Sequence, residues 1–286
     1  MEDLIRLAAI HDISGVGKCS LTVALPVISA TGVECACLPT ALLSTHTGGF
    51  EDFTFRDLSE DMLPIARHWK REGIRFDGIY SGYLASSKQE ETLEELIGLI
   101  SNENTKIIVD PVMADNGNYY SNLGHDMCLA FRRLCGRADI VTPNVTEAAL
   151  LTGLSYKEGP HTREYIDSLI QGLAALCGGI IAVTGVCPDE VSVGVYAVDT
   201  RTGEKCFAPG EAKAGVFCGT GDLFASAFSA LMLRGAGLKD SVETAVSFVN
   251  ESIERTVARG TPRRNGVDFE GALPNYITRV SELFRK

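Results

Sequence analysis

The sequence predicts an α/β fold, a mainly parallel central sheet with antiparallel strands at its edge. Three features carry that expectation. Short apolar runs alternate with amphipathic stretches of helical length, which implies βαβ units. Several of the runs are continuously apolar, as strands covered on both faces are. After the sixth run the pattern becomes a hairpin.

The elements follow in order. A first strand is expected at 7–10, then a polar, glycine-bearing loop, then a helix opening near Ser20. Further strands are expected at 33–38, 78–80, 106–110, 139–142 and 179–184, with helices at 58–72, 88–101, 124–135 and 162–177 between them. Residues 191–198 and 204–207 read as a hairpin around Asp-Thr-Arg-Thr-Gly at 199–203. Helices at 219–234, 238–257 and 275–284 complete the pattern. No repeat, low-complexity stretch or linker interrupts it, so 1–286 is expected to be a single domain. Trp69, beside His68 on an amphipathic helix, is expected to pack rather than to act.

Composition narrows the function. Of 286 residues, 45% are hydrophobic and 22% charged, ordinary globular usage. A net charge of −11 argues against a nucleic-acid binder, which needs a basic face, though a helix start can still bind a phosphate through its N–H groups. Nine cysteines form no CxxC pair, their number is odd, and the one CxC lies in a strand-like run; they are expected to be reduced core fillers. No leader pattern or membrane-length apolar run is present, so a cytoplasmic protein with no membrane partner is expected.

Two glycine segments compete for a phosphate. HDISGVGKCS, at 11–20, looks like a phosphate loop, but G-x-x-x-x-G-K-[ST] would require glycine where Asp12 stands and Ser or Thr where Cys19 stands. The stretch reads equally well as a plain turn or as a pocket edge formed by Asp12, Ser14 and Gly15 at a strand's carboxyl end. A nicotinamide fingerprint is missing there too. VFCGTGDLFASAF, at 216–228, is the stronger signal. Its glycines let the backbone turn and approach a ligand closely, and the N–H groups opening an apolar helix form an anion hole. Asp222 falls in the first turn, where a carboxylate is expected to stay ionised. A plain helix cap is the alternative reading.

That segment resembles the anion-hole motif of the ribokinase-like superfamily, and specifically of the vitamin B6 (pyridoxal or pyridoxamine) kinases. Ser44-Thr45-His46-Thr47-Gly48, Ser81-Gly82-Tyr83-Leu84, Asp110-Pro111-Val112-Met113 and Thr142-Pro143-Asn144-x-x-Glu147 are similar to further motifs of that family, in the same order. The resemblance covers nearly the whole chain. It implies a three-layer α/β/α sandwich that phosphorylates the 5′-hydroxymethyl group of a B6 vitamer with ATP. By the same resemblance Asp222 is the general base, and the backbone of Gly219, Thr220 and Gly221 holds the β- and γ-phosphates. Asp110 and Glu147 would act on Mg²⁺, partly through water, with Asn144 orienting the cluster. Thr142 and Thr184 would contact ATP phosphates, and Asp115 and Tyr120 would cover the bound ligands. Asp12, Ser14, Gly15, His46, Thr47 and Tyr83 would face the acceptor ring. A homodimer is implied, and a monovalent cation such as K⁺ is left open. Cys218, just before the anion hole, is a position where alkylation would cost activity. The opening segment departs from the B6 pattern and looks more like the corresponding loop of hydroxymethylpyrimidine kinases, so that acceptor is the alternative. A ligand-binding member without catalysis is a third, weaker reading, because Asp222, Asp110 and Glu147 are all present.

Overall fold

The computed structural model describes residues 4–121, 123–212 and 217–285. In chain order the elements are β1 (Arg6–Val16), α1 (Leu21–Ser29), β2 (Glu34–Thr45), β3 (Phe55–Asp57), α2 (Ser59–Arg71), β4 (Gly78–Ser81), α3 (Lys88–Ile100) and β5 (Lys106–Val109). A small hairpin follows, β6 (Ala114–Asp115) and β7 (Asn118–Tyr119), then α4 (His125–Cys135), β8 (Ile140–Val141), α5 (Val145–Thr152) and α6 (Arg163–Leu176). The chain ends with β9 (Ile180–Val186), β10 (Ser192–Asp199), β11 (Lys205–Glu211), α7 (Thr220–Leu233), α8 (Leu238–Arg259) and α9 (Leu273–Leu283).

Nine strands form one sheet in the order β11-β10-β9-β8-β5-β4-β1-β2-β3. The ladders from β2 through β9 are parallel, whereas β3, β10 and β11 pair antiparallel at the two edges. Period-2 alternation sends side chains of each inner strand to opposite faces. Ala8, Ile10, Ile79 and Val109 join the core under α2 to α6, and Leu7, Ala9, Tyr80 and Ile108 join the core under α1, α7, α8 and α9. With both faces covered, the expected α/β/α sandwich is the observed one. Trp69 packs on this scaffold, its ring 5.1 Å from that of Phe76.

Three features differ from the expectation. Residues 11–16 are not a loop: β1 continues through them, paired to β2 as far as Val16–Thr45, with a bulge between His11 and Ile13. Asp12, Ser14 and Gly15 have little strand preference, and the ladder to β2 overrides it. The eight-residue α5 and the short strands β3, β6 and β7 lie where no element was expected. Among the cysteines, Cys19, Cys128, Cys135 and Cys177 are buried as core fillers are, but Cys35, Cys37, Cys187, Cys206 and Cys218 are only half-buried. No helix among the described residues is long and apolar enough to cross a membrane.

Candidate active site

The carboxyl ends of β1, β4, β5, β8 and β9 and the start of α7 bring the expected residues together, where open parallel sheets bind ligands. Gly219 is the N-cap of α7 in the left-handed region, φ 79°. A methyl group there would lie 2.1 Å from the Lys18 carbonyl oxygen, so glycine is required both for the turn and for the approach. The first turn of α7 receives no side-chain cap, which leaves its N–H groups for a ligand. Thr220 uses its hydroxyl on the Phe217 carbonyl, 3.1 Å away, to fix that turn. Val216, which opens the motif, lies outside the described residues.

The opening glycines have a different task. Gly17, Lys18 and Ser20 all have positive φ, at 120°, 54° and 53°. This folds the segment under α7, where the Ser20 N–H donates to the Asp222 carboxylate. A methyl on Gly17 would sit 2.0 Å from the His46 ring, and one on Gly266 would sit 2.3 Å from the Gly17 carbonyl. The stretch is a packing joint beneath the anion hole.

Asp222 gives up its proton less readily than its place in the first helical turn suggests. Burial, reinforced by Asp12, outweighs the Ser20 N–H and pushes its carboxyl up to about 7. The same cause lifts Asp110 well above the carboxylate range, with the charges of Glu147 and Asp222 adding to it and the Thr142 hydroxyl pulling the other way. Burial also raises Glu147 to about 8, against three main-chain donors. Met113 N–H and Ala114 N–H reach Oε1 at 3.0 and 3.4 Å, and Asn144 N–H reaches Oε2 at 2.9 Å. Asn144 completes a capping box: Oδ1 accepts from the Glu147 N–H and Nδ2 donates to the Ala114 carbonyl, at 2.9 and 2.7 Å. Asn144 and Glu147 therefore tie the loop after β5 to α5, and Asp110 is the carboxylate left to face an ion.

Thr184 donates its N–H to the Pro143 carbonyl at 2.9 Å, which brings it beside Thr142 and Asn144. The β6–β7 hairpin carries Asp115, whose carboxylate accepts from Asn116 at 2.9 and 3.0 Å. Tyr120 follows it. The residue is 37% exposed, yet its hydroxyl is pushed strongly upward by burial and by the charges of Glu147, Asp115, Asp222 and Asp110.

Mg²⁺ fits this donor set through water. Asp110 and Asp222 bring two carboxylates close enough to feel each other, and among the described residues no lysine or arginine pairs with either. Among the described residues no three His, Cys, Asp or Glu side chains converge on a metal position, and three main-chain N–H groups already occupy the Glu147 carboxylate.

On the acceptor side, buried Asp12 accepts from Ser14 Oγ at 2.7 Å, and burial raises its carboxyl. Half-buried Tyr83 is lifted to about 12 by burial and by the nearby Asp12 and Asp57. Gly15 runs against β2, where a methyl would lie 3.2 Å from the Ser44 carbonyl. Thr47 is half-buried. His46 was expected to hydrogen-bond ring substituents, but both of its nitrogens meet the main chain. Gly48 N–H donates to Nδ1 at 3.0 Å, and Nε2 lies 2.7 Å from the Arg264 carbonyl. His46 fixes the loop over the pocket and offers a ligand only its ring. Sequence reasoning missed Ser20 and Arg264, whose roles come from main-chain atoms and carry no residue-type signal.

Comparison with known proteins bears on this geometry. The sequence profile of the family described as phosphomethylpyrimidine kinase matches residues 23–266. The hydroxymethylpyrimidine/phosphomethylpyrimidine kinase of Escherichia coli is 27% identical over 242 residues, 83% of this chain and 86% of its own. Among solved structures, a Bacteroides thetaiotaomicron protein crystallised with pyridoxal is 32% identical, with a TM-score of 0.91 over 96% of each chain. Pyridoxal kinase of Lactobacillus plantarum is 30% identical, with a TM-score of 0.88 over 99% of this chain and 100% of its own.

Proposed function

Because this chain belongs to the phosphomethylpyrimidine kinase family of ribokinase-like phosphotransferases, we propose that it moves the γ-phosphoryl group of ATP onto the 5′-hydroxymethyl group of a vitamin B6 vitamer. The observation that carries the reading is the position of Asp222. Its carboxyl feels Asp12 on the acceptor side, and its own charge reaches Asp110 on the phosphate side. One carboxylate thus stands between the two substrates.

In this mechanism Asp12, Ser14 and Tyr83 hold the ring, with Gly15, His46 and Thr47 bounding the pocket, and Asp222 takes the hydroxyl proton as the oxygen attacks phosphorus. The N–H groups of Gly219, Thr220 and Gly221 receive the charge that builds on the phosphoryl oxygens. Thr142 and Thr184 line the phosphate path, while Asp115 and Tyr120 cover it. Mg²⁺, held through Asp110 with Glu147 behind it, would supply neutralising charge to the phosphates. Asn144 positions Glu147. A carboxyl near 7 suits a base that must work at neutral pH. We assign the whole chain to one such domain and expect a cytoplasmic homodimer.

The acceptor is supported by the related protein crystallised with pyridoxal. The opening Asp12-Ile13-Ser14-Gly15 and the E. coli relative favour a hydroxymethylpyrimidine instead. Turnover of pyridoxal, pyridoxamine, pyridoxine and hydroxymethylpyrimidine with ATP and Mg²⁺ decides: phosphorylation of a pyridine supports the reading, and phosphorylation of the pyrimidine alone overturns it.

A further inference from the structure

Cys35 and Cys37 lie outside every residue assigned to phosphoryl transfer. They stand two positions apart on β2, opposite Leu7 and Ala9 of β1, and both pack on the face of the sheet that carries α1 and α7. β3 pairs with β2 only at residues 41–43, so along 34–40 this strand is the sheet edge among the described residues. Both thiols are half-buried and neither is in a disulfide. Two positions apart on one face of the strand, they are near enough to shift each other, Cys37 downward and Cys35 upward from the ordinary thiol value.

Spacing decides what such a pair can do. Positions i and i+2 of a strand are about 6.6 Å apart along the chain. A disulfide needs its Cβ atoms at about 3.8 Å, which an extended strand does not supply without bending. Two sulfurs leaning together over an ion are less demanding, because metal–thiolate bonds of about 2.3 Å separate them by about 4.6 Å when linear. With no third His, Cys, Asp or Glu converging on a metal position among the described residues, tetrahedral zinc is disfavoured. Paired thiolates select soft ions.

We propose that Cys35 and Cys37 form a two-sulfur site at the edge of the sheet for a soft, two-coordinate cation of the Cu(I) type. Binding forms two Cu–S bonds and releases both thiol protons to solvent. The product is a bis-thiolate of net charge −1, with sulfur and copper unchanged in oxidation state.

The test is an anaerobic competition for Cu(I) against the chromogenic chelator bicinchoninate, with ascorbate to keep copper reduced. Wild type and Cys218→Ser are expected to withdraw one equivalent of Cu(I) per chain, and Cys35→Ser and Cys37→Ser to withdraw none while keeping wild-type melting temperature and kinase turnover. Equal withdrawal by all four proteins, or none by wild type, overturns the site. Should a β2 variant fail to fold, phenylarsine oxide is added to wild type instead. Its arsenic exchanges oxygen for two sulfurs with release of water. Mass mapping of that adduct to the peptide holding both cysteines supports the proposal, and mapping elsewhere contradicts it.

Discussion

The two glycine turns of this chain, Gly17 to Ser20 near its start and Gly219 to Gly221 near its end, look alike as text and do different work. At the first, left-handed residues bury the turn: Ser20 and Leu21 are 5% and 3% exposed, and the Ser20 N–H is given to Asp222. At the second, one left-handed glycine starts a 14-residue helix whose first turn has no side-chain cap and whose Gly221 is exposed. Glycine alone does not mark a phosphate site. A glycine that opens a helix and leaves its N–H groups free has the donors such a site requires.

Breaking the second turn should cost most. Asp222→Asn removes the base while keeping size and helix start, and kcat is expected to fall by about 10³-fold with nucleotide affinity nearly unchanged, read by steady-state kinetics and calorimetry. Gly219→Ala forces a methyl onto the Lys18 carbonyl at positive φ, so turnover should be lost together with about 2 kcal/mol or more of stability in denaturant melts. Gly17→Ala also strains a positive φ and should lower stability, but its methyl meets His46: displacing that ring should raise the KM for the acceptor while that for ATP holds. Gly221→Ala sharpens the contrast. Nothing lies within 4 Å of its methyl, so stability should rise, by about 1 kcal/mol at most, while nucleotide binding weakens.

The smallest effect is in pH. Burial places Asp222 at about 7, above the usual carboxylate value, so the active, deprotonated base accumulates as pH rises. kcat/KM for the acceptor should therefore climb from pH 6 to 8 and then level, and a profile that falls across this interval contradicts the assignment.

Much of this was legible because it lies in local pattern. The continuous apolar runs located the inner strands, the turn residues at 199–203 located the β10–β11 hairpin, and the residues of the five motifs meet where the strands end. What was missed was tertiary. Strand β1 runs through Asp12 and Ser14 because β2 pairs with it, not because those residues favour strands. Asn144-x-x-Glu147 was read for nucleotide and metal, although it is also the sequence signature of a capping box and marks the start of α5. The rise of Asp222 depends on burial and on Asp12, more than two hundred positions away in sequence. His46 meets main-chain partners that no spacing predicts.

The division of labour between the two turns is tested most directly by calorimetric titration of ADP with Mg²⁺ into wild type, Gly17→Ala and Gly221→Ala. The account predicts wild-type affinity for Gly17→Ala and weakened binding for Gly221→Ala, with both proteins folded. Weakened binding in Gly17→Ala with Gly221→Ala unaffected would return the phosphate to the opening glycines and contradict it.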